Sequence, residues 1–123
     1  MADYKKLEVW KQSMILVESV YELTKKYPVD ERYGLTSQTR RAAVSIPSNI
    51  AEGVGRNHRR DTIQFLHIAR GSMYELETLM DIATMIKIAD VREVDSLKTK
   101  LTDCIKLING LINYFENTLK ESK

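Results

Sequence analysis

Val94, Leu97, Leu101, Cys104, Ile108, Leu111 and Phe115 recur at alternating steps of three and four along three heptads. That spacing lines up side chains on one edge of an α-helix, whereas a half-buried strand needs alternation at every second residue. Asp90 and Glu93 stand in front of the run as a capping box, each placed to accept a backbone N–H near the other. A long helix with one apolar edge has to bury that edge against other helices or a sheet. Only five Gly and two Pro occur in the chain, too few for the frequent turns of a β-sandwich.

Three further segments carry the same period. The first spans Leu7 to Lys26, where Trp10, Met14, Val17 and Tyr21 share one face and Leu16, Val20 and Leu23 broaden it. Pro28 prevents its continuation, and residues 29–34 read as a loop or single turn. Thr36 or Ser37 offers an N-cap for a second helix to Glu52, with Thr39, Ala42 or Ala43, Ile46 and Ile50 inward. Pro47 inside it predicts a kink or break between Ala43 and Pro47, and Gly53 and Gly55 end it. With Asn57 as N-cap, a third helix runs from His58 to Ile88 along Phe65, Ala69, Ser72, Leu76, Leu79, Ala83 and Ile86, flanked by Leu66, Met73 and Met80. Gly71 within it suggests the close passage of another backbone. Short links between long amphipathic helices predict antiparallel neighbours, so the expected fold is all-α: an up-and-down four-helix bundle with its second helix kinked at a proline.

A chain of 123 residues is one domain's worth, with enough length to bury a core unaided. Cys104 is the only cysteine, which rules out an internal disulfide. Runs such as Met14 to Val17 are far shorter than the roughly 20 residues that span a bilayer, and the N-terminus lacks a signal-peptide pattern. A cytoplasmic protein without membrane association is expected.

Catalytic patterns are scarce. His58 and His67 are nine positions apart, on opposite sides of a helix, and no Glu-x-x-His or His-Glu-x-x-His pair occurs, so no metal or other cofactor is expected. Cys104 falls in the heptad line, where a small buried hydrophobe belongs. Gly53-Val54-Gly55-Arg56 lacks the Lys-Ser/Thr of a phosphate-cradling loop. Ser37, Arg41, Ser45, Ser48 and Glu52 form a polar line on the second helix, better suited to a packed contact surface than to catalysis. The expectation is a protein that is not an enzyme.

The net charge of +2 neither demands nor excludes a polyanion, but its distribution is uneven. Between Arg40 and Arg70 there are six arginines against Glu52 and Asp61, a local excess of 6 − 2 = +4. Arg56, His58, Arg59 and Arg60 gather at a helix junction, where cations sit against the positive end of the helix dipole. Helix stability does not explain that choice, and an anionic partner would. Arg40 and Arg41 are candidates to extend the patch. The plainer alternative is a solvated charged face with salt bridges to neighbouring subunits.

Tyr33-Gly34-Leu35-Thr36, followed by the unbroken run from Arg40 to Gly53 (RRAAVSIPSNIAEG) and by Arg56, closely resembles the 23S rRNA intervening-sequence family of four-helix bundle proteins. The Leu7-Glu8-Val9-Trp10 opening and Glu75-Leu76-Glu77-Thr78 extend the likeness over nearly the whole chain. Members were first recognised as reading frames within insertions in bacterial large-subunit ribosomal RNA genes. The family is similar in fold to the accessory protein of diversity-generating retroelements, a homopentamer that binds nucleic acid. The resemblance implies a non-enzymatic bundle assembling as a ring, a pentamer, with Arg40, Arg41 and Arg56 inside the motif. The expected partner is RNA or DNA, and the competing expectation is a scaffold for a protein partner.

Overall fold

Buried backbone groups need partners, and the four amphipathic segments supply them internally as helices. The computed structural model describes residues 3–121, with side chains through Thr118. Helix α1 is Glu8–Thr24, α2 Leu35–Val54, α3 Arg59–Met85 and α4 Val91–Glu121. Single 3-10 turns at Tyr4–Lys6 and Val29–Glu31 precede α1 and α2. Among the described residues there is no strand. Helices α1 and α3 each pack against α2 and α4, which closes a four-membered ring around one core.

That core takes Leu16 and Val20 from α1, Ile46 and Ile50 from α2, Leu66, Met73, Leu76 and Met80 from α3, and Leu101 and Ile108 from α4, all without solvent contact. The α4 line holds from Val94 to Ile108. Burial then passes to Ile112, while Leu111 and Phe115 are only partly covered. A straight helix has 3.6 residues per turn, so a heptad line drifts around it over this length.

Helix α1 is turned by one residue from the expected face. Its buried edge is Val9, Ser13, Leu16, Val20 and Leu23. Met14 and Tyr21 lie outside, 45% and 38% exposed. Two hydroxyls hid the true edge, because their polarity is cancelled locally: Ser13 Oγ donates to the Trp10 carbonyl (2.8 Å) and Thr24 Oγ1 to that of Val20 (2.9 Å).

Helix α2 starts earlier than expected, so Thr36 and Ser37 lie in its first turn and are not its cap. Gly34 is the N-cap residue, and the Glu31 carboxylate accepts the Leu35 N–H at 3.1 Å. The helix is unbroken through Pro47. Gly53 lies within it and Gly55 closes it.

Helix α3 begins after His58, not after Asn57, and stops at Met85. There the Ile88 N–H bonds the Ala83 carbonyl (2.9 Å) and the Lys87 N–H that of Thr84 (3.1 Å), a Schellman stop. Lys87 takes the left-handed position, with φ 66°. Ile86, expected inside, is consequently half-exposed, and Phe65 is only partly buried while Leu66 fills the core. Only half of the capping box before α4 forms. Asp90 accepts the Arg92 N–H at 3.0 Å, and Glu93 pairs instead with Lys26, just beyond the end of α1, at 2.8 Å.

Candidate nucleic-acid interface

Arg56, His58, Arg59 and Arg60 do come together at the α2–α3 junction, and α2 and α3 approach closely there. The Thr62 hydroxyl donates to the Gly53 carbonyl at 2.7 Å, and a methyl group at Gly53 would lie 2.7 Å from Phe65 Cβ. Arg56 is occupied in holding this corner. Its guanidinium stands 5.0 Å from the Phe65 ring centre and 3.7 Å from the Glu52 carboxylate. Arg59 and Arg60 are exposed, and among the described residues no carboxylate lies within 4 Å of either. They occupy the first turn of α3, whose leading N–H groups precede the first intrahelical bond, from Thr62 to His58. Cationic side chains and outward N–H groups therefore share one helix end. His58 is exposed and leads into this turn without capping it.

Arg40 and Arg41 do not extend that patch. They lie near the other end of α2, and sixteen positions of helical rise separate Arg40 from Arg56 by roughly 24 Å. Arg40 is anchored on α1. Its Nε donates to Thr24 Oγ1 at 2.8 Å, and its guanidinium stacks 4.5 Å from the Tyr21 ring centre. Arg41 is exposed and makes no ion pair among the described residues.

Around these two arginines is an open pocket of about 630 Å³ between α1 and the start of α2, lined also by Arg32, Tyr33, Thr36 and Ser37 and by no acidic residue. The groove between α1 and α4 is different, with Glu18, Glu22 and Glu93 balanced by Lys26, Arg92 and Lys100. Arg32, Tyr33 and Thr36 were missed as site residues in the sequence. Tyr33 and Thr36 stood in the motif that carries the resemblance, with Thr36 one helical turn before Arg40 on α2, and it is Tyr21 of α1 that completes the pocket.

Next to the pocket lies an apolar groove of about 330 Å³ between α1 and α2. Tyr4, Trp10, Met14, Val17, Val44, Pro47, Ser48 and Ala51 line it, and none is charged. Met14 and Val44 are exposed along it. The polar line on α2 divides: Ser45 faces α3, with its hydroxyl 2.8 Å from that of Ser72 and within 2.9 Å of the Asn49 amide, while Ser48 bonds its own helix at Val44.

Burial of Cys104 raises its thiol pKa to about 11, far from a nucleophile's range. His67 is linked to Arg70 through Nδ1 at 2.8 Å, and Arg70 donates to Asn109 at 2.8 Å. Among the described residues no three His, Cys, Asp or Glu side chains gather as a metal site, and no helix is long and apolar enough to cross a membrane.

Four helices around an apolar core, with arginines at two separate places outside, define a helical-bundle protein whose candidate chemistry lies on its surface. The chain belongs to the 23S rRNA-intervening sequence protein family, whose model it matches over residues 5–110. Its fold is similar to a crystal structure from Bacteroides thetaiotaomicron, a protein of unknown function from the S23 ribosomal protein family. The TM-score is 0.79 and the identity 23%, covering 85% of this chain and 95% of that one. No curated protein matches the chain.

Proposed function

We propose that this protein is a non-enzymatic, self-associating helical bundle that contacts RNA or DNA through exposed arginines. The observation that carries the reading is the position of Arg59 and Arg60, which are exposed in the first turn of α3 and make no ion pair among the described residues. Phosphate oxygens match both the guanidinium groups and the free N–H groups of that turn. The family's link to ribosomal RNA insertions supports the same partner class, and a free thiol suits the cytoplasm.

Self-association draws on the uncharged α1–α2 groove, where Met14 and Val44 leave apolar surface for a second copy to cover. A ring of five copies, as the family resemblance implies, would repeat the arginine sites and raise avidity without new contacts. The same groove supports the competing reading, a scaffold for a different protein.

Filter binding to structured RNA at several salt concentrations tests the nucleic-acid reading. With about four phosphates neutralised, log K falls against log salt with a slope near −3.6. Failure to bind at low salt removes that reading and leaves the scaffold.

A further inference from the structure

Trp10, Met14, Val17 and Tyr21 follow helical steps of four, three and four, yet the core takes a neighbouring edge of α1 and leaves Met14 and Tyr21 exposed. The first three line the uncharged α1–α2 groove, and Tyr21 lies in the adjoining pocket, which shares Val44 with it. The two hollows therefore form one continuous surface. It is apolar at the Trp10 end and cationic at the Tyr21 end, where the Arg40 guanidinium stacks on the ring and Arg41 stands exposed.

Helix α4 carries a second apolar edge that the monomer does not bury. Leu107 and Tyr114 are exposed and Leu111 is only partly covered, at steps of four and three. Lys100, seven residues before Leu107 on the same side of the helix, bonds Ser19 of α1 through Nζ at 3.1 Å. The edge thus lies on the α1–α4 side of the bundle, apart from the α1–α2 groove. Asp103, one turn before Leu107, is exposed and makes no ion pair among the described residues.

Groove and edge match in length, pattern and charge. Trp10 to Tyr21 and Asp103 to Tyr114 each span eleven positions (21 − 10 and 114 − 103), roughly 17 Å of helix. Laid antiparallel, Tyr114 meets Trp10, Leu111 and Leu107 meet Met14 and Val17, and Asp103 arrives at the arginine end. A parallel arrangement would carry Asp103 to the apolar end instead. A two-fold contact of groove on groove would bring the arginines no carboxylate, since neither hollow is lined by an acidic residue. Only the antiparallel pairing of groove with edge answers both the apolar surface and the charge.

We propose that the α1–α2 groove takes the Leu107–Leu111–Tyr114 edge of α4 from a second copy of this chain, with Asp103 of that copy against Arg41. The proposal rests on the self-association reading above and names the surface that fills the groove. Because groove and edge are different surfaces of one chain, the contact is head-to-tail, and every copy keeps a free groove or a free edge until a ring closes.

Sedimentation velocity of the full chain and its variants at micromolar concentration tests this. Met14→Lys spoils the groove and Tyr114→Lys the edge, each at an exposed position, and helical circular dichroism checks that both fold. Each alone is expected to sediment as a monomer. Mixed in equal amounts they are expected to form a dimer of twice the monomer mass and nothing larger, because one keeps an intact edge and the other an intact groove. Charge exchange gives an independent readout: Arg41→Asp should weaken association about tenfold, and Asp103→Arg in the same chain should restore it. Should either lysine variant lose its helical signal, the charge exchange decides. A mixture that stays monomeric, wild-type association in Tyr114→Lys, or a failed rescue by Asp103→Arg overturns this pairing. If Met14→Lys still abolishes association, the groove reading then survives with another occupant. A wild-type chain that is monomeric removes both.

Discussion

The Thr62 hydroxyl, in the first turn of α3, donates a 2.7 Å hydrogen bond to the carbonyl of Gly53, nine residues earlier near the end of α2. This bond spans a close approach of the two helices. A Cβ at Gly53 would meet Phe65 Cβ at 2.7 Å and the Thr62 carbonyl oxygen at 3.2 Å. Gly53→Ala therefore has to part α2 from α3 and should cost about 1–3 kcal/mol, the usual range for overpacking. Thr62→Val removes this bond while the Arg56 N–H still donates to the same carbonyl at 3.1 Å, so it should cost only about 0.5–1.5 kcal/mol. Urea denaturation of the two variants checks both values.

Gly71 and Gly110 should behave oppositely. A methyl group added at either meets no atom within 4 Å. Each lies within a helix, so replacement by Ala should stabilise the protein by up to about 1 kcal/mol, seen as a higher denaturation midpoint. Lys87 provides a further stabilising change. Its φ of 66° suits glycine, and Lys87→Gly should raise stability by about 1 kcal/mol while keeping the bonds to Thr84 and Ala83.

Cys104 makes a prediction about pH. Burial raises its pKa to about 11, above its value in an unfolded chain, so the folded state is favoured while the thiol stays protonated. That contribution is complete below the unfolded thiol's pKa and is lost as pH rises toward about 11. Wild-type protein should consequently lose more stability between neutral and strongly alkaline pH than Cys104→Ala does. At neutral pH the thiol should resist alkylation until the protein unfolds, which a thiol-reactive dye followed against urea concentration measures.

The apolar groove predicts a charge-sensitive assembly. Met14→Lys or Val44→Lys places an ammonium on a surface that is already partly exposed, so each monomer should fold with unchanged helical circular dichroism. Light scattering should then show a smaller particle than wild type. A wild-type chain that is monomeric at micromolar concentration would remove self-association altogether.

Arg56 and Arg59 should separate by role. Arg56→Ala loses a contact with Phe65 and an exposed pair with Glu52, so its main effect should be a stability loss of about 1 kcal/mol or less. Arg59→Ala should leave the melting temperature unchanged and lower RNA affinity, with a shallower salt slope by about 0.9 per lost phosphate contact on a duplex.

Residue spacing alone was enough to identify four helices and the interior edge of α4 from Val94 to Ile108, because three-and-four steps are a local property of the chain. The inward residues of α2 and the burial of Cys104 were legible for the same reason. The direction in which α1 turns was not. Its apolar residues cover more than one face, and contacts with α2 and α4 select the edge containing Ser13, whose hydroxyl is satisfied within its own turn. The glycine needed for close packing proved to be Gly53 and not Gly71, since proximity between helices depends on their relative placement. Tertiary structure also split the arginines, leaving Arg59 and Arg60 at the α3 start and docking Arg40 on Thr24 and Tyr21 of α1. Sequence fixes which side chains share a helix face, while only the packing of helices against one another decides which faces meet and which charges become neighbours.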